Sequence, residues 1–445
     1  MTLKKVSYIL LILCCIGISA DAQDSIPKQQ DSIYQYDIRT IQSPFTLGTR
    51  REKFENYLYN KTIKETYTGP LNQYTEDRFQ DATLSAIQFL IDTPYTKRGF
   101  EKMFDWYFQS DEYTRETLLM GIYGIYPTLY NQKVAAVLPY EKNPKLFAME
   151  ALYNFRNDSS AEFVRRILHQ MDIQFAQYQS IPILAELRKY LLNHVKDEHS
   201  ATPSLRELFN YQRLFGQKVI YSFQRWNRDY SGICIVQYED GSFAKDSSGK
   251  LITIKQLARS GSGMPYFITN GNTPQGVYRI AGIGSSIDHL IGPTPNLQSV
   301  IPFQNDSVFY RGITYDPTAS QLDNYKRLLP PSWQNYLPMQ ESFYAGKIGR
   351  RYIIVHGSTL DAKFFAGRTF YPLTPTDGCL ATAETWNPQS GYLQQSDQLK
   401  LVNTFLRTSS TMGLLIVINL NNQPRNVTPE EIEELIKNYE ISITN

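Results

Sequence analysis

Apolar residues recur every three or four positions through the first half of this chain. In the second half they form short β-branched or alternating runs. Residues 82–91, 114–126 and 144–155 therefore read as helices, the last with Ala148, Ala151, Leu152 and Phe155 along one stripe. Ser159 and Glu162 make a capping box for a further helix, in which Val164, Ile167, Leu168 and Met171 repeat the spacing. Residues 183–192 continue the pattern, and Thr202-Pro203 opens a shorter helix carrying Leu205, Leu208 and Phe209.

Near Gln217 the period changes. Residues 218–223 and 232–238 read as paired strands, and 264–269 with 276–280 as a second pair around Asn270-Gly271. Residues 352–355 form another strand, 381–386 begin a helix, 396–406 form a helix, 413–420 a strand, and 429–439 an amphipathic helix capped by Thr428. The fold class is thus multidomain α + β, an all-helical domain over 50–215 followed by a mainly β domain over 216–420 and a helical tail over 421–445. The helical part resembles HEAT-type repeats, but without a sharp repeat consensus, and an irregular bundle fits equally.

Composition bounds the function. The chain has 445 residues, 42% of them hydrophobic and 20% charged, which is the balance of a globular protein. A formal charge of +2 gives no reason to expect a nucleic-acid partner or an acidic membrane surface. Residues 1–22 read as a signal peptide: Lys4 and Lys5, an apolar core over 6–18, then Ala20-Asp21-Ala22 as cleavage site. The expected location is exported, periplasmic or envelope-associated. Residues 23–49, polar and broken by Pro27 and Pro44, read as a linker or loosely packed arm.

Cleavage leaves Cys234 and Cys379. Cys234 lies in an apolar strand pattern and reads as a buried thiol, although an exported chain also allows a disulfide between the two. Cys379 follows the turn-forming Leu373-Thr-Pro-Thr-Asp-Gly378, and His356 ends a strand just before Gly357. A thiol at such a junction suits nucleophilic attack, with His356 as base and the amides of Gly378 and Cys379 directed at an oxyanion. The bland alternative is a buried, inert cysteine.

Three segments in order carry a family resemblance: Thr273-Pro274-Gln275-Gly276, His356-Gly357-Ser358, and Thr376-Asp377-Gly378-Cys379. Over roughly 217–420 the chain resembles the L,D-transpeptidase (YkuD-type) family, cysteine enzymes that cross-link or trim peptidoglycan. The resemblance implies Cys379 as nucleophile, His356 as base with its neighbour's carbonyl orienting the ring, and Gly357 and Gly378 as turn residues. It implies peptidoglycan stem peptides as partners and no cofactor or metal. Two positions depart from the family pattern: Asp377 stands for a histidine and Ala381 for an arginine, leaving Arg368 as the nearest substitute. An ionised Asp377 beside the thiol would work against its ionisation. The long segment 281–347 reads as a surface insertion shaping a cleft, with Tyr310, Arg311 and Trp333 as substrate contacts beside Arg368 and Asp377, and His289 as a fallback base. The implied activity is L,D-transpeptidation through a thioester. The alternatives are L,D-carboxypeptidase trimming, a catalytically weak secreted peptidoglycan-binding module, or a general cysteine peptidase. The helical domain is left as a contact for the wall or for a protein partner.

Overall fold

A computed structural model describes residues 35–195 and 202–444; the signal-peptide reading and the first part of the polar linker fall outside them. The architecture is α + β, with a helical region over 38–215 followed by a mixed sheet over 219–421. Among the described residues no helix is long and apolar enough to cross a membrane.

In the helical region, α1 (Gly48–Tyr57) precedes two interleaved rows. One row is α2 (Glu76–Phe89), α4 (Glu112–Ile125), α6 (Pro144–Phe155) and α8 (Pro182–Val195), each packed on the next. The other is α3 (Pro94–Asp105), α5 (Asn131–Val137) and α7 (Ala161–Gln174), packed on the flank of the first. Thr93, Asp111, Asn143 and Ser160 cap four of these helices by accepting from amides of their first turns. The cap expected at Ser159 is thus one residue further on, and the buried stripe Val164, Ile167, Leu168 and Met171 is as expected.

Eight strands form the main sheet: β1 (Val219–Arg225), β2 (Gly232–Gln237), β3 (Ile254–Gln256), β4 (Gly276–Gly284), β5 (Asn296–Val300), β6 (Val355–His356), β7 (Leu380–Ala381) and β10 (Gly413–Asn421). Their order is β3-β2-β1-β10-β4-β5-β6-β7, with β1–β10 and β6–β7 parallel. Leu257, next after β3, pairs antiparallel with Ala381 through bonds of 2.8 and 2.9 Å, so the sheet closes on itself. β8 (Glu384–Trp386) and β9 (Leu393–Ser396) form a separate hairpin.

Every strand of the closed sheet sends a side chain to one core around Leu401, Val402 and Phe405 of α11 (Asp397–Phe405). The opposite face of β1, β2, β4 and β10 is just as apolar. It is covered by α9 (Leu205–Phe215), α12 (Pro429–Thr444) and the segment between β5 and β6, which ends in α10 (Glu341–Ile348). Strands buried on both faces require such a cover, which corrects the reading of 281–347 as a surface insertion. Trp333 is fully buried and donates to the Ser204 carbonyl at 3.1 Å, and Tyr310 is buried among the same side chains. Neither is placed to touch a substrate.

Three further expectations are corrected. Residues 264–269 form turns, not a strand, because Pro265 and the Asn270-Gly271 turn interrupt any ladder. Residues 381–386, expected to begin a helix after the thiol, instead belong to β7 and β8. The described part of the linker is docked: Ile41 is buried against Trp386 and Leu393, and the Ser43 amide donates to Gly391.

The two regions share a core. Leu257, Met264, Phe267, Ile268, Leu360, Phe365, Phe370 and Leu373 of the sheet region all pack into the apolar cluster of the helical rows. The segment that leads to Cys379, and the one between β3 and β4, are thereby held by helices.

Candidate active site

The site sits where β6 and β7 run side by side. Val355 pairs with Leu380 and His356 with Ala381, and Leu380 donates to the Ile354 carbonyl at 3.0 Å. Val355 and Leu380 point to the α11 core, so Ile354 and His356 share the opposite face of β6 by alternation. The next ladder position is taken by sulfur in place of a carbonyl: the Ile354 amide donates to Cys379 Sγ at 3.4 Å, and the thiol contacts the Tyr352 carbonyl at 3.5 Å. Ile354, whose amide holds the sulfur, lies two residues before His356 in the same stretch of chain. Of the expected 352–355 strand only Val355, with His356 after it, is in the ladder; Tyr352 adopts a left-handed φ of 58°.

Cys379 is half-buried and is not in a disulfide. Cys234 is fully buried on β2, and burial pushes its thiol well up, so it is the inert thiol expected. His356 is buried, with Nδ1 2.5 Å from the Gly357 carbonyl. A proton on Nδ1 satisfies that carbonyl and leaves Nε2 as the basic nitrogen. Burial lowers the imidazole pKa from its ordinary 6.5, while the Gly357 carbonyl and the Asp288 charge act the other way. The ring is therefore neutral at pH 7.

The loop before the thiol is pinned from below. Thr273 Oγ1 donates to the Gly378 carbonyl at 2.9 Å, and Thr376 Oγ1 to the Cys379 carbonyl at 2.9 Å. The Gly378 amide donates to Thr376 Oγ1 at 3.1 Å, so it is already engaged and the expected pair of oxyanion amides is not in place. Gly378 adopts φ 104°, and a Cβ there would fall on Arg350 Nη2 and within 2.6 Å of the Gly271 carbonyl.

Arg350 is the residue that sequence reasoning missed. Its guanidinium is buried behind Gly378 and donates to the carbonyls of Tyr266 at 2.6 Å, Asn272 at 2.8 Å and Gly271 at 2.9 Å. Burial pulls its pKa down to about 10, and the neighbouring Tyr278, Cys379 and Asp377 oppose that shift. A guanidinium thus stands behind the thiol although position 381 is alanine. Its charge favours the thiolate and offsets that of Asp377. Arg368 is exposed beside the buried Arg259, whose carbonyl accepts from the Thr376 amide. Arg311 is exposed too, but beside Arg279 of β4. The His289 ring stacks on Phe45, 6.1 Å between centroids.

Glu384 was also not foreseen; nothing in its local sequence marks it. Its carboxyl lies under the His356-Gly357-Ser358 turn, accepting from the Ser358 amide at 3.0 Å and from Ser396 Oγ at 2.6 Å. A Cβ on Gly357 would fall on that carboxyl. Burial pushes Glu384 from its ordinary 4.5 up to about 7, against the bonds from Ser396 and Ser358. Between those two values the folded chain holds a proton that the unfolded chain releases, so this group's contribution to stability falls as pH rises through the window. Glu384→Gln, neutral throughout, is expected to flatten the loss of stability between pH 5 and pH 8 by about 2–3 kcal/mol. Urea midpoints at the two pH values measure it; an unchanged difference would show that the carboxyl is not protonated in the fold.

No protein-family model, curated protein or solved structure matches this chain. Fold and site therefore define it by their own geometry: a closed α + β sheet presenting one thiol and one imidazole at the end of a parallel strand pair, propped by a helical region.

Proposed function

We propose that this chain is a cysteine acyltransferase acting on peptidoglycan stem peptides, an L,D-transpeptidase-like enzyme of the cell envelope. The observation that supports it most is the placement of Cys379 Sγ on the Ile354 amide, two residues along the chain from His356, whose imidazole is oriented by the Gly357 carbonyl. The substrate class rests on the His-Gly-Ser and Thr-Asp-Gly-Cys segments and the order in which they occur.

His356 Nε2 takes the thiol proton, and the thiolate adds to the carbonyl carbon of a stem peptide bond. The negative charge gathering on the carbonyl oxygen lies in the field of Arg350. The C–N bond then breaks, the leaving amine takes the proton from His356, and the acyl group stays on sulfur as a thioester. An amine of a second stem attacks that carbon, His356 takes the amine's proton and returns it to sulfur as the C–S bond breaks, and a cross-link forms. Water in the amine's place makes the reaction L,D-carboxypeptidase trimming.

Incubation with muropeptides bearing tetrapeptide stems, followed by mass analysis, separates these outcomes. Dimers support transpeptidation, and loss of the terminal residue alone supports trimming. Intact substrate retained by the protein supports a binding module, which the engaged Gly378 amide favours. Because burial lowers the His356 pKa, the acid limb of the rate profile is expected below 6.5, where the imidazole finally gains its proton. His356→Gln should remove that limb and slow acylation by about 10²–10⁴-fold. A limb unchanged in the variant would assign the base elsewhere.

A further inference from the structure

A cavity of about 400 Å³ opens between the helical region and the sheet region. That is the size and place of a small-molecule site. Its wall from the helical side carries Glu186, Lys189 and Tyr190, and from the sheet side Arg228, Tyr266 and Glu341. Cys379 is not part of it.

The charges in this wall are unevenly matched. Glu186 is nearly fully buried and engaged, accepting from Tyr266 Oη at 2.7 Å and from Lys189 Nζ at 2.5 Å. The Glu341 carboxyl accepts from the Gln275 amide at 2.8 Å and from Gln275 Nε2 at 3.1 Å. Arg228 is different. Its side chain is buried, 7% exposed as a residue, yet its guanidinium donates only to two neutral carbonyls, Thr273 at 3.1 Å and Arg225 at 3.4 Å. The Glu341 charge in the same wall acts on it without a direct ion pair, and burial outweighs that attraction. A buried cation bonded to neutral acceptors is costly, and five N–H donors in a planar fork match a carboxylate. Asn419, also in the wall, keeps its buried Oδ1 without a partner, an acceptor ready for a ligand N–H. Tyr123, Trp226 and Tyr344 add ring faces around these polar groups.

We propose that this cavity binds a dipeptide-sized molecule through its free carboxylate, with Arg228 as the anchor and Asn419 accepting an N–H from the ligand. The proposal stands whether or not Cys379 is a nucleophile. It also gives the helical region a role, since Tyr123, Glu186, Lys189, Tyr190 and Asn193 of that region close one side of the site.

The test is binding to the full chain by calorimetry and thermal shift, using a set of dipeptides with free carboxylates and the same set as C-terminal amides. At least one acid is expected to bind saturably below about 10 mM, with its amide at least tenfold weaker. Arg228→Gln should erase that preference. Asn193→Trp, which fills the cavity rim without touching Arg228, should abolish binding, and it decides the matter if Arg228→Gln does not fold. No saturable binding of any acid, equal binding of acids and amides, or native affinity in Asn193→Trp would each overturn the proposal.

Discussion

Cys379→Ser is expected to lower turnover of tetrapeptide-stem muropeptides by at least about 10³-fold, because a serine hydroxyl at neutral pH does not supply the anion that a thiol does. Stability should stay within about 1 kcal/mol of the native chain. The Ile354 amide at 3.4 Å and the Tyr352 carbonyl at 3.5 Å meet the sulfur, and a hydroxyl can serve both. Mass analysis of products beside a urea melt separates chemistry from folding. A serine variant keeping a tenth of the native rate would remove Cys379 from the reaction.

Arg350→Ala is expected to cost about 3–5 kcal/mol of stability, the range for deleting one partner of a buried charged network. Three buried carbonyls lose their donor at once, those of Tyr266, Gly271 and Asn272. The same change removes the wall against which Gly378 rests, so acylation at Cys379 should fall too. Arg350→Lys restores one charge but not the fork, and should recover part of the stability and less of the activity. A loss under about 1 kcal/mol in the alanine variant would mean that the loop is held by its threonines alone.

The parts of the site legible in the sequence are those whose chemistry is local. A β-branched run ending in His356-Gly357 and a turn ending in Gly378-Cys379 each announce themselves within a few residues, as do the capped, striped helices of the first half. What stayed hidden depends on distant packing. Arg350 looks like any arginine beside Arg351, and only the fold brings three carbonyls to it. Tyr310 and Trp333 read as surface aromatics because the sheet face they cover is assembled from strands far away in the chain. The helix expected after Cys379 fails for the same reason: Ala381 finds ladder partners in both His356 and Leu257, and pairing outweighs local propensity. Residues 35–49 are polar, yet they are ordered by an edge that β9 offers to Ile41.

The proposed reaction passes its acyl group through one sulfur. Mixing the full chain with a tetrapeptide-stem muropeptide, quenching in acid within the first turnovers and weighing the intact protein reads that event directly. The expected result is a mass increase equal to the muropeptide less the released amino acid, mapped to Cys379 by peptide digestion and absent from Cys379→Ala. Product formation with no mass on Cys379 at any quench time, or the same adduct in Cys379→Ala, would contradict it.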